Sequence, residues 1–445
     1  MISSPAFAGK RYAVLGLARS GLAAVECLLA SGAKVTAWDN REEPRRKLEG
    51  RVELADPLGI DLTGYAGVVV SPGVPLNSHP IAAHAAQAGV PVIGDIELFA
   101  QARAALPAHR VVGITGTNGK STTTALVHHI LQSAALPVRM GGNIGLPILS
   151  QTPLSPGGVY VLELSSYQID LTHSLECDVA ALLNITPDHL DRYDGFAGYA
   201  ASKARLFAMQ RADQFAVFGV GDAETRAVAD REAARREPRF VRSVDGHDLI
   251  ALQAGWPTLQ GPHNLQNAAV AVAIAEALGL TAQQWGPALA TFRGLPHRME
   301  RVAEANGVMF INDSKATNPA STAPALAAFP PNPNRRVHWI LGGLPKGDRL
   351  DECAPYFGNI AAAYTIGEAG PRFAELLAPH MPVTRSEMMC EAIQQAMAAA
   401  HPGDVVLLSP ACASFDQFRD YEARGDSFRQ IVQALIAPDA SGSPC

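Results

Sequence analysis

The stretch "VVGITGTNGKSTTTALV", Val111 to Val127, decides how the rest of the chain is read. An apolar run ends at Thr115, a glycine-rich turn follows, and from Ser121 good capping residues lead into apolar positions at helical spacing. The pattern is strand, loop and helix N-terminus, where backbone N–H groups and the helix dipole favour an anion. Gly116 and Gly119 let the backbone curl around phosphate oxygens, with Thr117 and Asn118 between them. Lys120 reaches the outer phosphates, and Ser121 or Thr122 offers a hydroxyl to Mg²⁺. The common phosphate loop, G-x-x-x-x-G-K-[S/T], would place its first glycine where this chain has Ile114, so the loop is a shortened form. An ordinary glycine turn with a chance Gly-Lys-Ser is the bland reading; the flanking strand and helix favour phosphate.

Upstream, "KRYAVLGLARSGLAAVECLLASGAKVTAWD" from Lys10 repeats the order strand, glycine turn, helix, strand, the opening unit of a parallel α/β sheet. In "GLARSGL", Gly16 and Gly21 match the outer glycines of G-x-G-x-x-G, but Ala18 takes the middle place, where a Cβ hinders approach to a pyrophosphate. Asp39 ends the second strand, where a ribose-binding acid would stand. A structural turn and a ligand loop suit these residues alike.

Downstream, "VYVLELSS" and "DVAALLNIT" read as buried strands, "ETRAVADREAARRE" as a charged helical insert, and a long helix follows Pro262. "VMFINDSKATNP", "VHWILGGLPK", "AAAYTIGEAG" and "DVVLLSPACASFDQF" supply strands of a third unit. The expected architecture is α/β in three domains: residues 1–104 Rossmann-like, 105–299 of phosphate-loop type with a mostly parallel sheet, and 300–445 Rossmann-like. "APDASGSPC" is expected to be a frayed tail.

The chain has 445 residues, 48% hydrophobic and 18% charged, enough for several cores. A formal net charge of -6 argues against a general nucleic-acid or membrane-surface binder, leaving small molecules as the expected partners. Six cysteines without a C-x-x-C pair suggest neither a disulfide framework nor a thiolate zinc site, and fit a reducing cytoplasm. The longest apolar run, "AAVAVAIAEALGL", is broken by Glu276 and reads as a core helix; the N-terminus lacks a signal-peptide pattern.

Taken in order, "GITGTNGKST", "GGNIG", "LELSSYQ", "NITPDHLDRY", "YAASKARLF", "GPHNLQN", "LPHRME" and "NDSKATNP" resemble the Mur ligase family, the ATP-dependent amide ligases of peptidoglycan synthesis. In that family the short loop is the regular form. "SPG" at Ser71 to Gly73 and "LSPACASFDQF" are similar to members that add D-glutamate to UDP-N-acetylmuramoyl-L-alanine. The resemblance implies that ATP phosphorylates a carboxylate and that the amine of D-glutamate attacks the acyl phosphate.

Residue by residue, the resemblance implies catalytic roles for Lys120, His189, Lys203 and Lys315. ATP would be met by Gly116, Thr117, Asn118, Gly119, Lys120, Ser121, Thr122, Asn264, Asn267, Arg298 and Asp313. Two Mg²⁺ ions would be held by Ser121, Glu163, His189 and Lys203, the last as a carbamate. Leu17, Ala18, Arg19, Asp39, Asn40, Arg41, Ser71, Gly73, Asn143 and His189 would hold the UDP-substrate, and Thr317, Lys346, Ser414, Phe415 and Tyr421 the D-glutamate. Each has a plain alternative: Glu163 a solvated strand end, Lys203 a solvated helical lysine, Asn143 a turn residue, Asn264 and Asn267 helix caps. The chain departs from the family at Pro345, where an aspartate often precedes the lysine, and at Tyr421, where phenylalanine is common.

Four other functions compete: another Mur-type ligase, a folate polyglutamate ligase, a phosphate-loop regulator that uses ATP as a switch, and a dinucleotide oxidoreductase resting on "GLARSGL" alone. A domain of about 100 residues before the ATP loop, a typical domain length, disfavours the folate enzymes. A monomeric cytoplasmic ligase whose third domain closes about "RGLPHR" is the expectation.

Overall fold

The structure is a computed structural model describing residues 1–188, 190–345 and 347–437; His189, Lys346 and the tail 438–445 lie outside the described residues. Three sheets carry the chain, one for each expected domain. The first is wholly parallel, with strands side by side in the order Glu53–Leu54, Lys34–Trp38, Arg11–Leu15, Gly67–Val70, Val92–Ile93. The second, also parallel, runs Val241–Val244, Phe215–Gly219, Val179–Leu182, His109–Thr115, Gly158–Glu163, Val138–Gly142. The third runs Glu300–Ala305, Val308–Asn312, Val405–Leu408, Val337–Gly342, Ile360–Ile366, Val383–Glu387, with only the first strand antiparallel to its neighbour.

The central strands are apolar along their whole length because helices cover both faces of a parallel sheet. "GVYVLE" from Gly158 to Glu163 and "VHWILG" from Val337 to Gly342 are buried at every position. The antiparallel edge strand Glu300–Ala305 has no fully buried residue, as an uncovered edge allows.

In each sheet a central strand is flanked by strands whose crossovers run in opposite directions. Ligands bind α/β sheets at that switch point, outside the carboxyl ends of the strands. In the first sheet Arg11–Leu15 lies between strands ending near Asp39 and Ser71; in the second His109–Thr115 lies between strands ending at Glu163 and Leu182. In the third, Val405–Leu408 lies between strands ending at Asn312 and Gly342.

By compactness the chain forms two units, Met1–Leu249 with Gln266–Leu289, and Ile250–Leu265 with Ala290–Cys445. The first unit contains two of the sheets, joined through the helix Asp95–Ala102. Gly94 N donates to Leu171 O, and the buried carboxylate of Glu97 accepts from the N–H groups of His173 and Ser174 and from Ser174 Oγ.

Two local expectations are corrected. The helix after the glycine loop spans Lys120–Ser133 and is capped by Gly119 in the left-handed region, with no hydroxyl cap. Asn264 and Asn267 lie inside the helix Pro262–Ala277 instead of capping it, since proline's preset φ starts a helix at its own position. Among the described residues, no helix is long and apolar enough to cross a membrane.

Candidate functional site

The second sheet's glycine turn is held from below and from the side. Thr117 N donates to Asn184 O, Asn118 N to Asn184 Oδ1, and Asn184 Nδ2 returns a bond to Asn118 O. Thr117 Oγ1 donates to Thr186 O and meets the hydroxyl of Tyr199 at 3.1 Å. Gly119 has φ +82, a left-handed backbone that favours glycine, and a Cβ there would stand 2.3 Å from Asn267 Oδ1, so any side chain would have to displace Asn267. Ser121 is buried at the start of the helix and Thr122 half-buried beside it.

Two lysines from distant parts of the sequence meet at this turn. Lys120 Nζ donates to Gly116 O at 2.9 Å and Thr117 O at 2.7 Å, while Lys203 Nζ donates to the same Gly116 O at 2.9 Å. Lys203 is 1% exposed, its Nζ 4.6 Å from the centre of the Tyr199 ring. Burial, and then the nearby Lys120 charge, push its pKa well below that of an ordinary lysine. A neutral amine is nucleophilic, so Lys203 is chemically suited to capture CO₂ where a solvated lysine is not.

Glu163 ends the adjacent strand, in register with Ile114. Its Oε1 accepts from Asn143 Nδ2 at 3.0 Å and Asn143 N donates to Glu163 O, so the asparagine of "GGNIG" orients the glutamate. Its Oε2 is buried without a hydrogen-bond partner. An unpaired buried carboxylate oxygen is costly unless a cation or water meets it, so this donor set suits a hard cation such as Mg²⁺. Among the described residues no three His, Cys, Asp or Glu side chains group into a metal cage; the set here is one carboxylate, one hydroxyl and one amine.

The first sheet's turn has the same build and different neighbours. Leu17 N donates to Asp39 Oδ2 at 2.7 Å, while the Leu17 side chain is in the core. Arg41 donates through its backbone N and Nε to Asp39 Oδ1, and these bonds hold the Asp39 carboxyl below its usual range against the raising effect of burial. Ser71 Oγ donates to Gly16 O. Ala18, Arg19, Asn40, Arg41 and Gly73 are exposed around it.

A cleft of about 440 Å³ in this unit is lined by Pro72, Val74 and Asn77 from the first sheet's loop and by Tyr167, Arg192, Tyr193 and Ser202 from the second domain. Arg192 donates to Val74 O and its guanidinium covers the Tyr167 ring, so it spans both sides. Asp170 accepts from Tyr193 OH and Ser202 Oγ, which precedes Lys203.

In the second unit, Asp313 is buried at the end of its strand and accepts from Ser409 Oγ and Met299 N. Burial raises its pKa to about 7 against those bonds and the nearby Arg298 charge. Lys315 N donates to His297 O, and Lys315 Nζ lies 3.9 Å from the centre of the Tyr421 ring. Thr317 is half-buried, Ser414 buried and Phe415 69% exposed. Asn264 belongs to this unit and donates to Gln260 O, whereas Asn267 belongs to the first. Asp348 and Asp351, which follow Pro345 in the sequence, pair on the surface with Arg372 and Arg349.

Sequence reading missed three residues that shape these loops. Asn184 closes the phosphate-type turn; its signal was a polar residue directly after the apolar run "VAALL". Tyr199 joins Thr117 to Lys203 one helical turn away. Arg424 is 1% exposed and donates to Ser314 Oγ, Ser314 O, Cys412 O and Ala413 O, tying the loop that leads to Thr317 to the one that leads to Ser414 and Phe415. A buried arginine with four acceptors looks in sequence like any charged helix residue.

Family models match three stretches: the MurD-like N-terminal domain of Mur ligases at residues 10–94, the Mur ligase middle domain at 114–252, and the Mur ligase glutamate ligase domain at 297–412. The chain is 74% identical, over 100% of both chains, to the UDP-N-acetylmuramoylalanine--D-glutamate ligase of Novosphingobium aromaticivorans. It is 62% identical to the protein of that name from Sphingopyxis alaskensis, across 98% of this chain and 100% of the relative. Among solved structures it resembles the MurF ligase of Thermotoga maritima in complex with ADP, with a TM-score of 0.59 over 96% of each chain and 16% identity, a likeness of fold alone.

Proposed function

Because the chain belongs to the Mur ligase family, we propose that it joins D-glutamate to UDP-N-acetylmuramoyl-L-alanine at the expense of ATP. The observation that carries this reading is the convergence of Lys120 and buried Lys203 on Gly116 O, at the sheet edge where Glu163 presents an unpaired oxygen. Such a site meets the central difficulty of the reaction, the repulsion between a substrate carboxylate and the ATP γ-phosphate.

ATP phosphates lie on the turn Gly116–Ser121, and Lys120 leaves its own loop carbonyls to neutralise them. Asn267 packs against Gly119 on the nucleotide side, and Asn264, Arg298 and Asp313 complete the ATP set. Mg²⁺, two ions in all, would be held by Ser121, Glu163, His189 and Lys203 as its carbamate, and would neutralise the transferring phosphoryl group. The UDP end rests on the first domain's turn, between Asp39, Arg41, Ser71 and Gly73. The alanine carboxylate takes the γ-phosphoryl group. The D-glutamate nitrogen then attacks the acyl carbon and phosphate departs with one former carboxylate oxygen. Thr317, Lys346, Ser414, Phe415 and Tyr421 hold D-glutamate, with Lys315 acting on the reacting groups. Domains at 1–104, 105–299 and 300–445, a monomeric state and a cytoplasmic location complete the proposal.

The test is phosphate release from ATP with UDP-N-acetylmuramoyl-L-alanine, comparing D-glutamate with L-glutamate, L-alanine and L-lysine. Release should need both substrates and D-glutamate specifically, and ¹⁸O from the alanine carboxylate should appear in phosphate. Release without an acceptor would favour a nucleotide switch and overturn the ligase reading.

A further inference from the structure

The segment Gly94 to Glu97 does more than join two sheets. Gly94 N and the Glu97 carboxylate already weld the first domain to residues 171–174. Between them Asp95 is 3% exposed, and neither of its carboxylate oxygens makes a hydrogen bond of normal geometry. Burial lifts its pKa to about 6, opposed by the Ile96 N–H and by the side chains of Ser20 and Gln168 that face it. An under-satisfied buried carboxyl beside a sound weld costs stability, which an apolar residue would not.

Its two side-chain neighbours lead to opposite ends of the substrate path. Ser20 belongs to the first domain's turn "GLARSGL" and to the first turn of the helix Arg19–Ala30. Gln168 belongs to the helix Ser166–Asp170; its Oε1 accepts from Ser165 N and Ser165 Oγ, each at 3.1 Å, and its side chain faces Asp95. Ser165 stands two residues beyond Glu163. Asp95 is therefore buried between the helix that opens from the first domain's glycine turn and the helix that follows the strand end carrying Glu163.

We propose that Asp95 is a positioning residue that sets the first-domain turn relative to Glu163, so that binding energy gathered at the nucleotide end of the substrate is used to align its distant carboxylate. The proposal rests on the ligase reading above and adds to it a means of transmitting remote binding energy. Only a substrate gripped at both ends can feel the setting.

The experiment compares full-length wild type, Asp95→Ala and Asp95→Asn on UDP-N-acetylmuramoyl-L-alanine and on N-acetylmuramoyl-L-alanine lacking UDP, with kcat and KM measured for each. For Asp95→Ala, kcat on the UDP-linked substrate should fall roughly tenfold or more, while kcat/KM on the fragment stays within about twofold. Asp95→Asn, which keeps the shape, should show a smaller loss of the same selectivity; if the alanine variant does not fold, this variant decides. Equal losses on both substrates, the mark of a merely structural role, or no loss on either, overturns the proposal. Phosphate release by wild type that ignores D-glutamate would instead sink the ligase reading.

Discussion

The two glycine turns of the first unit are built alike and furnished differently. Gly16–Gly21 and Gly116–Gly119 each leave the end of a central parallel strand and open a helix. At the first, Asp39 already holds the Leu17 N–H, so an acid occupies an anion-binding group and leaves room for a ligand's hydroxyls or base. At the second, two lysines converge on one carbonyl. Glycine spacing makes the curve, and the residues arriving from neighbouring strands and helices decide what the curve binds.

The strongest blow to that contrast would come at Lys203. Lys203→Ala should lower D-glutamate-dependent phosphate release about a thousandfold, with partial recovery on adding a short carboxylic acid; wild-type activity in the variant would remove the second lysine from the chemistry. Lys120→Ala should cost about a hundredfold or more through lost phosphate neutralisation, with an unfolding midpoint close to wild type.

A glycine exchange sharpens the comparison through stability. A Cβ on Gly21 would stand 1.9 Å from Gly16 O, a rigid backbone atom, so Gly21→Ala should destabilise by about 3 kcal/mol in denaturant unfolding. Gly119→Ala meets the side chain of Asn267, which can turn aside, and should cost nearer 1 kcal/mol from the left-handed backbone alone. The reverse order would mean that the first turn is the more pliant of the two.

The third sheet's edge offers a pH test. A carboxyl whose folded pKa is raised binds its proton more tightly when folded, so its favourable contribution is lost as pH rises from about 4 through the folded value. Burial places Asp313 at about 7 and Asp95 at about 6, so both weaken the fold between pH 4 and 7. Asp313→Asn should flatten stability against pH in that window, measured by denaturant unfolding at several pH values. An unchanged slope would show that Asp313 is not the group responsible. The smallest effect is expected at Asp39→Asn, which keeps the shape and weakens the bonds from Leu17 and Arg41: about 1 kcal/mol of stability and a few-fold rise in KM for the UDP-substrate, with kcat little changed.

Legibility followed how local each feature is. "VVGITGTNGKSTTTALV" was readable because strand, turn and helix follow within seventeen residues, and each obeys its own short-range rule. Lys203 could be flagged only by family resemblance, since nothing in "YAASKARLF" says that this lysine is buried beneath a turn 87 residues away. Arg424 and Asn184 were passed over for the same reason: their partners lie on loops elsewhere in the chain.

The amino-acid order alone determined three α/β cores, the placing of each glycine turn at a strand's carboxyl end, and the Gly-Lys-Ser spacing at one of them that suits phosphate. These follow from periodicity, capping and the freedom of glycine, all set within one crossover. Tertiary structure decided which acid would occupy the first turn, which amine would lose its water at the second, and which glutamate oxygen would be left without a partner. Burial and Coulomb interaction depend on what surrounds a group in space, and residues far apart in the chain supply those surroundings.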